Sequence, residues 1–130
     1  MDWANTQLNR DYCYGFVYPQ IFSFHRRRSD EAQQAQLAWG RERAQGWLKV
    51  LDSHMLAGGK KYLCGDAITL ADYFVAPFVQ VGELTGSDYS AYPNVAAWME
   101  RMRSLRNWTK TFEGINTYGA SLERQTLVGV

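Results

Sequence analysis

The sequence has few of the residues that mark a disulfide framework or a membrane protein. Its 130 residues include two cysteines, Cys13 and Cys64, which are too few and too far apart in sequence for a disulfide framework or a zinc site. We expect both to be reduced thiols buried as small apolar side chains, with a redox role as the alternative. Because there is no run of 18 apolar residues and no basic leader followed by an apolar block, we expect no membrane partner and a cytoplasmic location.

An excess of charge of either sign is also absent. Fourteen Lys and Arg against thirteen Asp and Glu give a net charge of +1, which is too small for a general attraction to nucleic acid, so none is expected as a partner. The one dense basic run, His25 to Arg28, falls at the predicted C-terminal end of the first helix, where cations stabilise the helix dipole. That is our interpretation of the run, and an anion or RNA contact is the alternative.

The sequence does have a globular composition and helical periodicity. Apolar residues make up 46% of it, and no stretch alternates apolar and polar residues convincingly enough for a strand, so the predicted fold class is all-α. A first helix is predicted over residues 3–28 with a bend at Pro19. A second, over residues 30–56, has Asp30 as a weak N-cap and an inward row at helical spacing: Leu37, Ala44, Leu48, Leu51 and Met55.

The strongest local signal is a helix start between Gly65 and Tyr73. Thr69 is predicted to be the N-cap, with its hydroxyl accepting from the N–H of Asp72 while the Asp72 carboxylate accepts from the N–H of Thr69. The helix that follows, over residues 70–84, is apolar on almost every face, so it should lie at the centre of the domain. Pro77 lies inside it, and we expect tertiary packing to override the cost of about 3 kcal/mol that an interior proline carries.

The end of the chain is predicted to be less regular. A fourth helix starts at Pro93, and Asn107 is placed as the cap of a last short helix. Residues 116–130 show no clear pattern, so an extended tail is predicted there. The domain is therefore assigned to residues 1–115 and the tail to residues 116–130.

The motif G-D-x-x-T-x-A-D, Gly65 to Asp72, followed by an apolar helix resembles the sixth-helix signature of glutathione S-transferases. The two upstream helices, the Gly-rich connection and the downstream Y-P-N-V-x-x-W motif, Tyr92 to Trp98, occur in the order of that family's C-terminal all-helical domain, over about residues 2–113. The resemblance implies a helical bundle of the glutathione S-transferase C-terminal domain type.

No self-sufficient catalytic or metal-binding set is visible, because nucleophile-elbow, H-E-x-x-H and phosphate-loop motifs are missing and His25 and His54 stand apart. The resemblance accounts for this, since in the family an N-terminal thioredoxin-like domain supplies most glutathione contacts. This sequence carries none of that domain. We therefore expect a C-terminal domain that is inactive alone, has that thioredoxin-like domain as its partner, and uses glutathione only as co-substrate of the full-length protein. A stand-alone helical protein is the alternative, and a weak homodimer or a monomer is expected.

The resemblance also implies that this domain lines the site of the electrophilic co-substrate, mainly through the start of its first helix. Trp3, Gln7, Arg10 and Tyr14 lie within about 60° of one another at 100° per residue. They are the predicted substrate-binding residues, with Tyr118 as a weaker candidate for a lid; contacts with the missing domain or a dimer partner are the alternative.

Another function class stays open on the sequence. Similar helical domains serve as non-catalytic interaction modules in translation elongation factor and aminoacyl-tRNA synthetase complexes, so the fold does not settle activity. An unrelated helical bundle is the third alternative.

Overall fold

The computed structural model describes residues 1–122 and 126–130, and these residues form helices and no strand. Five helices, α1 to α5, are joined by short turns and by one longer loop over residues 56–69. Their bounds are Ala4–Val17 continued by Tyr18–Ile21 for α1, Asp30–Val50 continued by Leu51–Met55 for α2, Leu70–Gly82 for α3, Pro93–Arg103 for α4 and Trp108–Ser121 for α5. The predicted all-α fold is confirmed.

Helix α1 is wound more widely than an α-helix over Ala4–Val17. The N–H of Tyr18 donates to the carbonyl oxygen of Cys13, five residues earlier, which is the π-helical pattern and corresponds to roughly 4.4 residues per turn, or about 82° per residue. At that winding the fully buried apolar side chains fall on one stripe, within roughly 120° of one another: Ala4, Leu8, Tyr12, Cys13, Phe16 and Val17. Asp11 and Gly15 lie beside this stripe and face α2.

Helix α1 ends at Ile21, so the prediction that it reaches Arg28 is wrong. In a continuing α-helix, the carbonyl oxygen of Pro19 would accept from the N–H of residue 23. Here it accepts from the side-chain amide of Gln33 at 2.7 Å. The carbonyl oxygen of Ile21 accepts from the hydroxyl of Tyr118 at 2.7 Å. Side chains of α2 and α5 thus satisfy the end of α1.

Because α1 ends early, the interpretation of the basic run as a helix C-terminus is also wrong. Ser23–His25 forms a 3₁₀ turn, and the arginines that follow lie before the N-terminus of α2. The N-cap of α2 is Ser29, whose hydroxyl accepts from the N–H of Ala32 at 3.1 Å, whereas Asp30 is the first helical residue. The row predicted to face inward does so, with Ala44, Leu48 and Leu51 fully buried.

The helix start at Thr69 is confirmed. Thr69 and Asp72 form the capping box, and α3 runs through Pro77 without ending. Asp72 is fully buried. Its carboxylate accepts from the N–H and the hydroxyl of Thr69 at 2.8 and 3.0 Å, from the N–H of Leu63 at 2.9 Å and from the indole N–H of Trp98 at 3.0 Å. One side chain therefore joins the loop before α3, the start of α3 and the middle of α4.

Helix α4 begins at Pro93, as predicted, and its first turn is capped from α2. The Asp52 carboxylate accepts from the N–H groups of Asn94 and Val95 at 2.7 and 3.1 Å. Such a long-range cap fixes the start of α4 against the end of α2.

Helix α5 is longer than predicted, and the expectation of an extended chain from residue 116 is wrong for residues 116–121. The predicted domain boundary at 115 falls inside this helix. Tyr118 is held by Ile21, and Leu122 is buried at the end of α5, so tertiary contacts maintain a helix that contains two glycines. Residues 126–130 form no helix or strand, and Val128 exchanges two hydrogen bonds with the side chain of Gln20. Residues 123–125, also assigned to the tail, lie outside the described residues.

Candidate functional site

The four residues predicted to share one face of α1, Trp3, Gln7, Arg10 and Tyr14, do not all point to the same side of the helix. At the wider winding of this helix, Trp3 and Tyr14 point to roughly opposite sides. Trp3 is partly buried and packs edge-on against Trp47 with ring centroids 6.0 Å apart. Tyr14 is 52% exposed. Gln7 and Arg10 stay in contact, since Arg10 Nη2 donates to Gln7 Oε1 at 3.3 Å.

The guanidinium of Arg10 is engaged by a buried carboxylate. Its Nε and Nη2 donate to the two oxygens of Asp11 at 2.6 and 3.0 Å, and Asp11 also accepts from Trp47 Nε1 at 2.7 Å and Arg43 Nε at 3.3 Å. Burial by itself raises the pKa of Asp11, but the hydrogen bonds from Arg10, Trp47 and Arg43 outweigh it and hold the pKa below its usual value. Much of the binding capacity of Arg10 is therefore used inside the domain.

A group of aromatic side chains, here called the aromatic cluster, gathers at the C-terminal end of α1. The ring centroids of Tyr14 and Tyr18 lie 4.8 Å apart and those of Tyr18 and Phe22 lie 5.4 Å apart, both edge-on. The cluster consists of Tyr14, Tyr18, Phe22, Phe24, His25 and Tyr118. Sequence reasoning named only Tyr14 and Tyr118 as candidates, although the spacing of four between Tyr14, Tyr18 and Phe22 was a signal for the others.

An apolar cavity of about 270 Å³ adjoins the aromatic cluster between α1, α3 and α5. Its walls are Tyr18, Ile21, Phe22, Val81, Leu84, Gly114, Ile115 and Tyr118. Burial raises the pKa of Tyr18 to about 12, so its hydroxyl is protonated at neutral pH. Tyr118, the candidate for a lid, forms one wall and is fixed there by its hydrogen bond to Ile21.

A second apolar groove, of about 340 Å³, lies on α3 and α5 and is lined by Tyr73, Pro77, Trp108 and Phe112 among others. It contains none of the residues proposed from the sequence, whereas Tyr118 lines the cavity beside the aromatic cluster. We therefore take the cavity beside the aromatic cluster as the candidate site, although it is the smaller of the two.

The two cysteines differ in environment. Cys13 is buried, as expected, and burial raises the pKa of its thiol to about 12, which keeps it unreactive. Cys64 is exposed, so the expectation of burial is wrong for that residue.

The described part of the chain has neither a metal-binding cluster nor a membrane-spanning helix. Residues 1–122 and 126–130 contain no group of three His, Cys, Asp or Glu side chains that could hold a metal ion. Within the same ranges, none of the helices combines the length and the apolar character needed to cross a bilayer.

The comparisons with known proteins agree with the helical arrangement. The family model described as "Glutathione S-transferase, C-terminal domain" matches residues 16–106. No solved structure matches the chain significantly. Because the matched stretch covers well over half of the 130 residues and includes the capping box and α2 to α4, the chain belongs to the glutathione S-transferase C-terminal domain family.

Proposed function

We propose that this domain forms the apolar wall of the electrophile site in a glutathione-conjugating protein. A thioredoxin-like domain of the same protein would bind glutathione as co-substrate and activate its thiol, and the helical domain alone would be inactive. The observation that carries the proposal is the apolar cavity at the end of α1, whose wall residue Tyr18 packs edge-on against the half-exposed ring of Tyr14. Family membership supports it.

The cavity suits a flat or branched apolar electrophile. Removing apolar surface from water contributes about 25 cal/mol per Å², so Phe22, Ile115 and Leu84 would supply most of the binding free energy. Holding the electrophile close to a thiolate raises the rate through proximity and orientation.

Among the four residues proposed from α1, Tyr14 has the strongest support. It is exposed and belongs to the aromatic cluster. The other three, Trp3, Gln7 and Arg10, lie nearer the other end of α1. There Trp3 packs against Trp47, and Arg10 donates to Asp11. We propose these three as supporting contacts, either with substrate or with the thioredoxin-like domain.

The test is steady-state conjugation of glutathione to chlorodinitrobenzene by a protein that joins this chain to its thioredoxin-like domain. Tyr14→Ala should raise the KM for the electrophile several-fold and leave the KM for glutathione unchanged. Tyr73→Ala is a matched control, because Tyr73 is also 52% exposed but lies on α3 in the other groove. Equal kinetics for the two variants would contradict the placement of the site.

The second candidate function is a non-catalytic interaction module, and the groove on α3 and α5 favours it. Leu70 and Tyr73 lie in the first turn of α3 and are 69% and 52% exposed. Exposed apolar side chains that lie together are typical of protein-interaction surfaces. If the joined protein shows no conjugation with any of several electrophiles, this reading is preferred. A cytoplasmic location and a weak homodimer remain proposals under both readings.

A further inference from the structure

The connection between α1 and α2 combines exposed aromatic and cationic side chains. We call residues 24–28, Phe24-His25-Arg26-Arg27-Arg28, the basic knob. Phe24 is 80% exposed, although it is a large apolar residue. All three arginines are exposed as well. The basic knob is thus a concentrated feature on a chain whose net charge is only +1.

The position of the basic knob is electrostatically unfavourable for the fold. It precedes the N-terminus of α2, which carries the positive end of a long helix dipole, so cations there are destabilising. Compensation is partial. Arg26 pairs with Asp30 at 2.7 Å with both side chains solvent-exposed, and Arg27 Nη2 donates to the uncharged amide oxygen of Gln36 at 2.7 Å. The fold does not require this charge, which indicates another use.

The basic knob is also held in place. Gln33 is buried and its side chain bridges the carbonyl oxygen of Pro19 and the N–H of Arg27, at 2.7 and 2.9 Å. Gln36 bridges Arg27 to the carbonyl oxygen of Gly15. Gln33 therefore holds the backbone of the knob at Arg27, and Gln36 holds the Arg27 side chain, which lowers the entropy lost when a ligand binds.

Phe24 is the outermost ring of an aromatic stack. Its ring centroid lies 5.4 Å from that of Phe22 at an interplanar angle of 18°, and Phe22 stacks on Tyr118 at 5.7 Å and 15°. Tyr118 is anchored by its hydrogen bond to Ile21. Phe24 is also flanked by the imidazole of His25, with ring centroids 4.7 Å apart, yet it is 80% exposed. It is thus a supported aromatic ring with surface left for stacking with one more flat ring.

We propose that the basic knob binds a single-stranded nucleic acid, with one base stacked on Phe24 and neighbouring phosphates held by Arg27 and Arg28. Base stacking on a rigid aromatic ring beside guanidinium groups is how proteins bind single strands without reading sequence. A lipid surface fits less well, because membrane binding scales with the buried apolar area and the knob offers one apolar side chain, fixed in a stack. The knob has three arginines, so the contact involves two or three phosphates.

The experiment is fluorescence anisotropy of a labelled oligouridine of about eight nucleotides, titrated with the whole chain over a range of salt concentrations. Binding should saturate, and the logarithm of the association constant should fall with the logarithm of salt concentration with a slope of about −1.4 to −2.1, the value for two or three phosphates. Phe24→Ala should weaken binding by about fivefold or more with an unchanged slope. Arg28→Gln should weaken binding and reduce the slope by about 0.7.

The groove on α3 and α5 provides matched controls. Tyr73→Ala and Arg106→Gln remove an exposed aromatic ring and an exposed arginine outside the knob, and both should bind oligouridine as the unmodified chain does. The proposal is overturned by a lack of saturable binding, by equal affinity in Phe24→Ala, or by equal losses in the controls. Phe24-dependent binding to anionic phospholipid vesicles with none to oligouridine would also overturn it.

Discussion

Asp72 is the residue on which the centre of this domain depends most. Its carboxylate is buried and accepts four hydrogen bonds, which compensate for its removal from water. The same bonds satisfy donors that would otherwise be unpaired. The sequence identified one of these bonds, from the N–H of Thr69, as part of a capping box. It could not identify the bonds from Leu63 and Trp98, since those donors reach Asp72 only after the loop and α4 have packed on α3.

Replacing Asp72 with Ala should therefore do more than remove a helix cap. Loss of a cap alone lowers the free energy of unfolding by about 0.5 to 2 kcal/mol, and each buried donor left without an acceptor adds about 1 to 3 kcal/mol. We expect a total loss of at least about 3 kcal/mol, measured by urea unfolding followed by circular dichroism.

The control for this measurement is Asp66→Ala, because Asp66 lies in the same loop but is exposed. It should change the free energy of unfolding by no more than about 0.5 kcal/mol. A loss below about 1 kcal/mol for Asp72→Ala would show that the four hydrogen bonds do not stabilise the domain as described.

At the scale of elements, the crossing of α1 and α2 depends on two glycines. A Cβ atom on Gly40 would overlap with the backbone carbonyl of Gly15, so the two helices can approach this closely only without a side chain at residue 40. The same approach lets Gln36 and Trp39 of α2 contact Gly15.

Gly40→Ala should force α1 and α2 apart and lower the free energy of unfolding by about 1 to 3 kcal/mol, the usual range for overpacking. Gly46→Ala is the matched control on the same helix, because a Cβ there meets nothing within 4 Å. It should stabilise the domain by up to about 1 kcal/mol through helix propensity. Thermal unfolding of the two variants distinguishes these effects, and a shift of the same sign in both would refute the close crossing.

The elements that the sequence predicted well are those specified by local chemistry. Helix α3 is marked by Thr69 and Asp72, and α4 by Pro93, within a few residues of each start. The ends that were wrong are set by distant residues: Gln33 ends α1 at Ile21, and contacts at Tyr118 and Leu122 extend α5. Periodicity at 100° per residue also missed the wider winding of α1, and with it the separation of Trp3 from Tyr14.

At the scale of the whole molecule, the helical domain presents an apolar cavity, an aromatic cluster and a basic knob at one end, where α1, α2 and α5 meet. The sequence predicted the family and the fold from the motif around Gly65 to Asp72. Of the residues proposed from the sequence, Tyr118 lines the cavity, and the remaining walls were not predicted because they come from three helices whose contacts are non-local. Conjugation itself remains a proposal about the joined protein.

The most direct test of the account is a nuclear magnetic resonance titration of the isotope-labelled chain with unreactive dinitrobenzene. We predict saturable changes in amide chemical shift centred on Ile21, Leu84 and Ile115, which surround the cavity. Shifts centred on Tyr73 and Trp108, or no saturable shifts at all, would contradict the claim that this cavity receives the electrophile.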